Sequence, residues 1–252
     1  MFETKIKEVI SRINENCFIT SDDHFSHKAI FDFQPHRKDL MIKDGVGVEG
    51  LWPDQLLKAH DDWMVKKFNS VVGEDDTTIF LGDFAFKNLD IAKRLNGYKI
   101  LILGNHDRKG PQVYDQAGFD YVIRGLLIQE GDKVFSVEAT DKLFSALVKE
   151  INGYRVLFGH YPPDEREFRY YKDDLGESDP NKPSIMNARI SELINVYYDM
   201  SCDFALHGHT HDKHPVMETI NLINVCRDTN SMKPYKLGDI FTLNKKGAAW
   251  IK

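Results

Sequence analysis

The chain has 252 residues, of which 42% are hydrophobic and 29% charged, a balance typical of a globular protein with one large domain. Its formal charge of −6 at pH 7 argues against a protein that mainly coats nucleic acid or an anionic membrane. The three cysteines show no C-x-x-C spacing, which excludes an obvious disulfide framework or thiolate zinc site and favours a cytoplasmic protein. We expect a single domain over residues 1–252.

The N-terminal segment Met1–Asn16 predicts an amphipathic helix, because apolar residues recur at helical spacing among charged ones. This pattern is not that of a signal peptide. Nowhere do about 18 consecutive apolar residues occur, so we expect no membrane-spanning segment and no membrane partner. A short strand, Cys17–Thr20, follows the helix and leads to Asp22, His24 and His27.

The next segment, Phe33–Gly50, contains a proline and several glycines without a sustained period, and it predicts a loop or flap. Arg37 within it is a candidate contact for a substrate phosphate. Pro53 then occupies a position that a first helical turn tolerates, and the apolar residues up to Phe68 fall on one helical face. His60 lies on that face, so we interpret it as a core residue.

Two further strands, Thr77–Leu81 and Lys99–Leu103, flank a short helix over Leu89–Leu95. Strand, helix and strand with connections of this length predict a parallel pair covered by helix. Each strand is followed by a glycine and then by side chains that bind metals or move protons. The first leads to Asp83, and the second leads to Asn105-His106-Asp107.

Strands dominate residues 119–158, and the Asn152-Gly153 pair among them is a strong hairpin signal. The last of these strands leads to His160. Residues 163–183 mix acidic, basic and tyrosine side chains and predict an exposed excursion. Arg166 in this excursion is another candidate phosphate contact.

A helix over Pro183–Met200 and a strand over Asp203–Leu206 are predicted next, and the strand leads to His207-Gly208-His209-Thr210-His211. Two β-rich segments, Val216–Val225 and Ile240–Trp250, complete the chain. Three histidines are interpreted as structural: His36, His207 and His214.

Five apolar strands are therefore each followed within a few residues by Asp, Asn or His. In open α/β sheets, sites assemble at the carboxyl ends of the strands. The candidate donors are Asp22, His24, Asp83, Asn105, His106, His160, His209 and His211. Nitrogen and oxygen donors without sulfur suit Mn, Fe, Zn, Ni or Mg, and the histidines favour the transition metals. These donors are more than one ion needs, whereas two ions that share a carboxylate would use them.

The spacing favours one division of these donors. Asp22 and His24 are two residues apart on a loop and can reach one ion together. His209 and His211 have the same spacing but need not serve the same ion. Asp83 stands alone after its strand, so it is the natural bridge between two ions.

The order Asp-x-His, Gly-Asp, Gly-Asn-His-Asp, Gly-His and Gly-His-x-His, spread from Asp22 to His211, resembles the calcineurin-like metallophosphoesterases, and most closely their small bacterial and phage phosphoesterases. The resemblance implies an α/β (α+β) fold, a four-layer α/β/β/α sandwich of two mixed sheets flanked by helices. It also implies two divalent metal ions, with Mn preferred and Fe, Zn, Ni or Mg as alternatives. The implied ligands are Asp22, His24, Asp83 and His211 for one ion, and Asp83, Asn105, His160 and His209 for the other.

The implied activity is hydrolysis of a phosphate mono- or diester by attack of a metal-bound hydroxide. His106 lies beside Asn105 but is not used as a ligand, so it is placed to give a proton to the leaving alkoxide. Asp107 is expected to orient His106. Both are candidate catalytic residues.

The expected substrate is a phosphate ester, a small molecule or nucleotide, with nucleic acid as an alternative. Gly82-Asp83 is followed by Phe84-Ala85-Phe86, without the arginine with which the protein-phosphatase branch clamps phosphate, so a phosphoprotein is disfavoured. Phosphate contacts are then expected from His27, Arg37 and Arg166. Two other functions remain open: a metal-binding scaffold of the same fold without catalysis, and a nuclease that acts on single strands.

Overall fold

The computed structural model describes residues 2–137, 144–168, 170–172, 178–211 and 222–245. Its α-helices are α1 (Phe2–Arg12), α2 (Ile30–Phe33), α3 (His36–Lys43), α4 (Pro53–Asn69), α5 (Pro111–Ala117), α6 (Ile185–Asp199) and α7 (Leu237–Lys245). Short 3-10 helices cover Leu89–Arg94, Glu165–Glu167 and Arg227–Asn230. Its strands are β1 (Phe18–Thr20), β2 (Thr77–Phe80), β3 (Tyr98–Ile102), β4 (Tyr121–Ile123), β5 (Gly125–Glu130), β6 (Lys133–Val137), β7 (Ser145–Ile151), β8 (Tyr154–Gly159), β9 (Tyr170–Lys172), β10 (Ser178–Pro183), β11 (Phe204–His207), β12 (Leu222–Asn224) and β13 (Tyr235–Lys236).

The first sheet has five strands in the order β13-β1-β2-β3-β4. The four strands β1 to β4 run parallel, and β13 lies antiparallel beside β1. β2 and β3 pair in register at Ile79 and Ile100, with the 3-10 helix Leu89–Arg94 in the connection between them. The predicted parallel pair is confirmed.

The second sheet has six strands in the order β12-β11-β8-β7-β5-β6. It is mixed, because β8, β11 and β12 are parallel to one another while β7 is antiparallel to β8. The β7–β8 hairpin turns at Asn152 and Gly153, whose φ angles are 54° and 80°. Two consecutive positive φ angles are what a two-residue hairpin turn requires, so the predicted hairpin is confirmed.

The two sheets pack face to face around one apolar cluster. Ile79 and Ile100 of the first sheet lie in this cluster with Leu147 and Phe158 of the second. Successive residues of a strand point to opposite faces, so the neighbouring residues of these strands face outwards. The cluster is the interior of a β-sandwich.

Helices cover the outer face of each sheet. Phe80 and Leu101 of the first sheet pack with Phe68 of α4, and Leu157 of the second sheet packs with Leu193 of α6. Each outer face therefore has its own apolar cluster. The layers are helix, sheet, sheet and helix, and the predicted four-layer sandwich is confirmed.

The prediction of a loop or flap over Phe33–Gly50 is wrong, because α3 occupies His36–Lys43. Arg37 and Met41 lie one turn apart on α3, and both are fully buried. The inward face of this helix thus carries an arginine. A search for apolar periodicity cannot detect such a face, since one of its anchors is charged.

The prediction of a β-rich C-terminal segment over Ile240–Trp250 is wrong for its described part, where α7 runs over Leu237–Lys245. Leu237, Ile240 and Phe241 have the helical spacing i, i+3, i+4 and are buried in the cluster between the sheets. Residues 246–252, which include the rest of this predicted segment, lie outside the described residues, as do residues 212–221.

The predicted excursion over residues 163–183 contains regular structure. The 3-10 turn Glu165–Glu167 opens it, and β9 pairs antiparallel with β10 to form a two-stranded ribbon. Residues 169 and 173–177 lie outside the described part of the chain.

None of the described helices has the length and apolar character needed to cross a membrane. The longest of them, α4, has 17 residues and includes three aspartates and three lysines.

Candidate metal centre

The predicted site residues follow the carboxyl ends of five strands. β1, β2 and β3 are parallel neighbours, so the loops after them bring Asp22, Asp83 and Asn105 to one edge of the first sheet. β8 and β11 are parallel neighbours in the second sheet and place His160 and His209 at its corresponding edge. The candidate site lies where these two edges meet.

Two hydrogen bonds made by the site residues join the sheets. Nδ1 of His160 lies 2.7 Å from the backbone oxygen of Leu81, to which it donates. The backbone amide of His209 donates to Oδ2 of Asp22 at 2.9 Å. The distance between the sheets at this edge is therefore set partly by the predicted ligands themselves.

The first group of donors contains Asp22, His24 and His211. Oδ1 of Asp22 lies 3.7 Å from Nε2 of His24 and 3.3 Å from Nε2 of His211. The two Nε2 atoms are 2.8 Å apart. Three atoms that can each bind a metal thus face a common point.

The second group contains Asn105, His160 and His209. Nε2 of His160 lies 2.8 Å from Oδ1 of Asn105, and the His160 and His209 rings are 5.2 Å apart. Since Nδ1 of His160 donates to Leu81, its Nε2 carries the free lone pair that a metal ligand needs.

Asp83 belongs to both groups. Its Oδ2 lies 3.9 Å from Nε2 of His24 in the first group and 3.6 Å from Nε2 of His160 in the second. Its other oxygen, Oδ1, accepts a hydrogen bond of 2.8 Å from the backbone amide of His106. The carboxylate is thus held with one oxygen between the two groups.

The buried carboxylates are in an environment that favours an added cation. Burial, together with the negative charges of Asp22 and Asp107, raises the pKa of Asp83 well above its usual range. Burial alone would also raise the pKa of Asp22, but His211 and His24 outweigh it and hold this pKa well below its usual range. Positive charge beside the carboxylates of Asp22 and Asp83 therefore stabilises their ionised forms.

Two of the imidazoles are held in the neutral form, which is the form that binds metals. Burial lowers the pKa of His24 to about 3 and lowers the pKa of His160. His211 differs: burial opposes its protonation, but the carboxylates of Asp22 and Asp228 raise its pKa above the ordinary value. The space beside His211 thus attracts positive charge.

The donor atoms are of the types that can hold a metal ion. Oδ1 of Asp22 and Nδ1 of His24 are buried and have no hydrogen-bond partner among the described residues. A buried carboxylate oxygen without a partner is costly unless an ion or water satisfies it. Imidazole nitrogens together with carboxylate and amide oxygens suit Mn, Fe, Zn or Ni.

Five of the seven predicted ligands adopt the left-handed backbone conformation. Their φ angles are 58° for Asp22, 52° for His24, 53° for Asp83, 70° for His209 and 51° for His211. For residues other than glycine, this conformation costs on the order of 1 kcal/mol or more each and is concentrated at functional sites. This strain is an indication of function independent of any motif.

Two glycines of the motifs allow the loops to approach each other. A Cβ atom on Gly208 would lie 2.2 Å from Oδ2 of Asp22, and one on Gly104 would lie 2.3 Å from Oδ1 of Asp83. Both distances are far below van der Waals contact. Any side chain at these positions would displace a predicted ligand.

Asp107 does not orient His106 as predicted. Its Oδ2 accepts hydrogen bonds from the amides of Asp83 at 2.7 Å and Gly104 at 2.9 Å, and its Oδ1 accepts from Phe84 at 3.3 Å. The Asp107 carboxylate is fully buried, and these hydrogen bonds occupy both of its oxygens. Asp107 is therefore a positioning residue that ties the loop after β2 to the loop after β3.

His106 lies at the open side of the site. Its Nε2 is 3.9 Å from Oδ2 of Asp83, and its side chain is 37% exposed. The ring packs on Phe86, with 4.5 Å between centroids. Burial lowers the pKa of His106 to about 4, and the charges of Arg108 and His160 act in the same direction.

The prediction that Arg37 contacts substrate is corrected by its position. Its side chain is fully buried. Its guanidinium donates to both carboxylate oxygens of Asp228 and to the backbone oxygens of Asp22 and Asp23. Arg37 supports the loop that carries Asp22 and His24 from behind, where a substrate phosphate cannot reach it.

Asp228 is a site residue that the sequence analysis missed. Its Oδ2 lies 3.5 Å from Nδ1 of His211, on the side of the ring opposite the nitrogen that faces Asp22. Burial by itself would raise the pKa of Asp228, but the Arg37 guanidinium overcomes this and holds the pKa well below its usual range. An ionised carboxylate behind a ligating histidine fixes the ring and its tautomer.

A third group with the spacing of a metal site contains His211, Cys226 and Asp228. The protonated thiol of Cys226 indicates that this group supports His211 and does not bind an ion itself. The thiol of Cys226 donates to Oδ2 of Asp228 at 3.1 Å. Burial, together with the charge of Asp228, raises the pKa of Cys226 well above its usual value, which keeps the sulfur protonated. A signal for this group exists in the sequence, since Arg227 and Asp228 follow β12 as the other polar residues follow their strands.

We expect Asp228→Asn to lower the affinity for a metal ion at His211 by roughly 10- to 100-fold, because a supporting carboxylate tunes the ligand in front of it. Metal titration of the apoprotein by calorimetry measures this. Asp23→Asn is the matched control: it removes the carboxylate of a different buried ion pair, in which Oδ1 of Asp23 lies 2.6 Å from Nη1 of Arg227. Equal loss of affinity in both variants would show a general destabilisation instead.

The remaining predicted residues separate by location. His27 lies beside the site, with its ring stacked on Phe86. Arg166 is exposed and pairs with Asp164 on the 3-10 turn. Their roles as phosphate contacts stay predictions.

Of the histidines interpreted as structural, His207 is buried with Nδ1 near the oxygen of Gly208, His36 contacts Asp228, and His214 lies outside the described residues.

Comparison with known proteins gives two likenesses. No family model matches the chain. The chain is 31% identical over 107 residues to the Gene 66 protein of Mycobacterium phage L5, and the matched part covers 40% of this chain and 44% of the phage protein. The crystal structure of the protein of unknown function AQ665 from Aquifex aeolicus is similar with a TM-score of 0.54 and 24% identity, over 90% of this chain and 98% of that chain. The second likeness concerns the fold.

Proposed function

We propose that the protein is a metallophosphoesterase of the calcineurin-like type that hydrolyses a phosphate mono- or diester with two divalent metal ions. One observation carries the proposal: Oδ2 of Asp83 lies within 3.9 Å of donor nitrogens in two separate ligand groups. A buried carboxylate between two groups of nitrogen and oxygen donors suits a pair of ions that share it.

When bound, the two ions supply an activated water and neutralise the non-bridging oxygens of the phosphate. The protein's own residues do the rest. Asp83 and Asp22 would hold the ions, and the hydrogen bonds from the Asp83 amide to Asp107 and from the His209 amide to Asp22 fix the loops that carry these carboxylates. The substrate then meets a rigid site and not a flexible one, which lowers the reorganisation needed during reaction.

His106 is the proton donor in this proposal. Its Nε2 lies 3.9 Å from Oδ2 of the shared carboxylate, and its side chain is 37% exposed, so a leaving oxygen of a bound substrate can reach it. In the free protein the lowered pKa keeps the ring neutral. A bound phosphate is an anion beside the ring, so it favours the protonated form and raises this pKa towards the range of a general acid.

The competing function is a metal-binding scaffold without catalysis. Against it stands the accessible His106, whose ring is not needed to hold metal and which a scaffold has no reason to expose beside the ligands. A single-strand nuclease needs a positively charged groove that follows the backbone of the nucleic acid. The formal charge of −6 gives this alternative little support.

The test is metal content and turnover in the same sample. The purified protein, loaded with Mn²⁺, is expected to hold about two ions per chain and to hydrolyse aryl phosphate mono- or diesters. Inductively coupled plasma analysis gives the ion count, and release of p-nitrophenolate gives the rate. Full occupancy without turnover on aryl esters, nucleotides and oligonucleotides would establish the scaffold and reject the enzyme.

A further inference from the structure

Four rings form a continuous aromatic shelf that runs from the metal centre to the protein surface. We use this name for His106, Phe86, His27 and Phe33. The centroids of His106 and Phe86 are 4.5 Å apart, and those of Phe86 and His27 are 3.8 Å apart with the rings almost parallel at 5°. Phe33 continues the row at 5.9 Å from His27.

The inner part of the shelf touches a predicted metal ligand. The ring of His24 lies 5.5 Å from both His27 and Phe86, and 5.9 Å from His106. A phosphate bound at the metal centre therefore has the shelf directly beside it. Any organic group attached to that phosphate on this side is brought against the rings.

The outer end of the shelf is accessible to a ligand. Phe33 ends the short helix α2 and is 68% exposed, whereas Ile30, one turn earlier, is buried and anchors the helix. Phe33 stacks on His27 on one side and leaves most of its surface in water beside the polar site. Contact of this exposed ring with another apolar or aromatic group is favourable, because it removes apolar surface from water.

We propose that the shelf binds the aromatic part of the substrate, so that the phosphate ester is one with a planar ring, above all a nucleobase. This inference rests on the proposed function. Stacking on aromatic rings accepts any base, because every base has a π-face. The shelf offers rings in a row, which favours recognition by stacking over reading of one base.

The charges around the shelf favour a small ligand over a polymer. Lys28, next to His27 in the chain, is paired with Asp54 at 3.2 Å, and Arg108, two residues after His106, donates its Nε to the backbone oxygen of Asn105. Polymers bind through several cations that follow their phosphates, whereas one phosphate needs only the metal centre. We therefore assign a mononucleotide or a short nucleotide ester as the ligand, and a longer strand is tested as the alternative.

The experiment compares two ligands that differ only by the base. The probes are phosphonate analogues of adenosine monophosphate and ribose 5-phosphate with a CH₂ group in place of the ester oxygen, since a C–P bond is not hydrolysed. Titration into the Mn²⁺-loaded protein is expected to give about 5- to 100-fold tighter binding for the adenosine compound, the size of one stacked base. If an oligonucleotide binds far more tightly than both analogues, the ligand is a polymer and not a small nucleotide.

Variants locate the effect on the shelf. Phe33→Ala is expected to remove much of the preference for the base while binding of the ribose compound and the metal content stay unchanged. Tyr198→Ala is the matched control, because Tyr198 is 71% exposed on α6 and packs against its neighbour Tyr197. A preference that survives Phe33→Ala, or falls equally in both variants, would overturn the role of the shelf.

The outcomes separate this inference from the proposed function. Equal binding of the two phosphonates rejects the shelf but leaves a metal centre that binds phosphate. Failure of both phosphonates to bind a protein with full metal occupancy, together with no turnover, rejects the shelf and the phosphoesterase.

Discussion

Asp83→Asn is expected to lower the occupancy of both metal ions and to reduce turnover by about 10³-fold or more, the scale of several kcal/mol of lost charge stabilisation. The reason is geometric. Oδ2 of Asp83 lies 3.9 Å from Nε2 of His24 and 3.6 Å from Nε2 of His160, so a single carboxylate serves both groups of donors. An amide at this position has no negative charge to share.

The comparison variants are His24→Ala and Asn105→Ala. Each removes a donor from one group alone, so each is expected to release one ion and retain the other. Metal analysis of the three variants under identical loading distinguishes a bridge from an ordinary ligand. Loss of one ion in Asp83→Asn, with the other at full occupancy, would refute the bridging role.

In the metal-free protein, Asp83→Asn is expected to increase folding stability. The folded-state pKa of Asp83 is raised by burial and by Asp22 and Asp107, so the metal-free wild type loses stability as the pH rises from the ordinary carboxyl range, about 4, towards that raised value. Asparagine does not ionise and removes this loss. Calorimetry of the two apoproteins across pH is expected to show the variant as the more stable above that range, and an unchanged difference at every pH would contradict the raised pKa.

The positions of the ligands could be predicted because they depend on a rule that acts locally. Each of the loops after β1, β2, β3, β8 and β11 begins where a parallel strand ends, and parallel neighbours end at the same edge. An apolar run followed by Asp, Asn or His is readable in the chain itself. The convergence of Asp22 with His211, 189 positions later, also requires the two sheets to pack face to face, because β1 and β11 lie in different sheets.

The supporting residues could not be predicted in this way. Arg37 lies on a helix whose inward face is charged, and its partner Asp228 is distant in the chain, so neither residue carries an apolar pattern that marks it as buried. Asp107 was recognised as part of the site, but its partners are backbone amides of other loops. Such contacts depend on where loops pass each other, which no local pattern contains.

His106→Asn is expected to leave the metal content unchanged and to slow turnover by ~10²-fold or more, as loss of a general acid does. The metal site survives because the bond to Oδ1 of Asp83 comes from the backbone amide of His106 and not from its ring. Since a proton donor matters only when the leaving oxygen is basic, the loss is expected to be large for alkyl esters and small for a p-nitrophenyl ester. Rates for esters of graded leaving-group basicity measure this directly. A loss of the same size for every leaving group would mean that the ring positions the substrate, and the role of general acid would pass to another group.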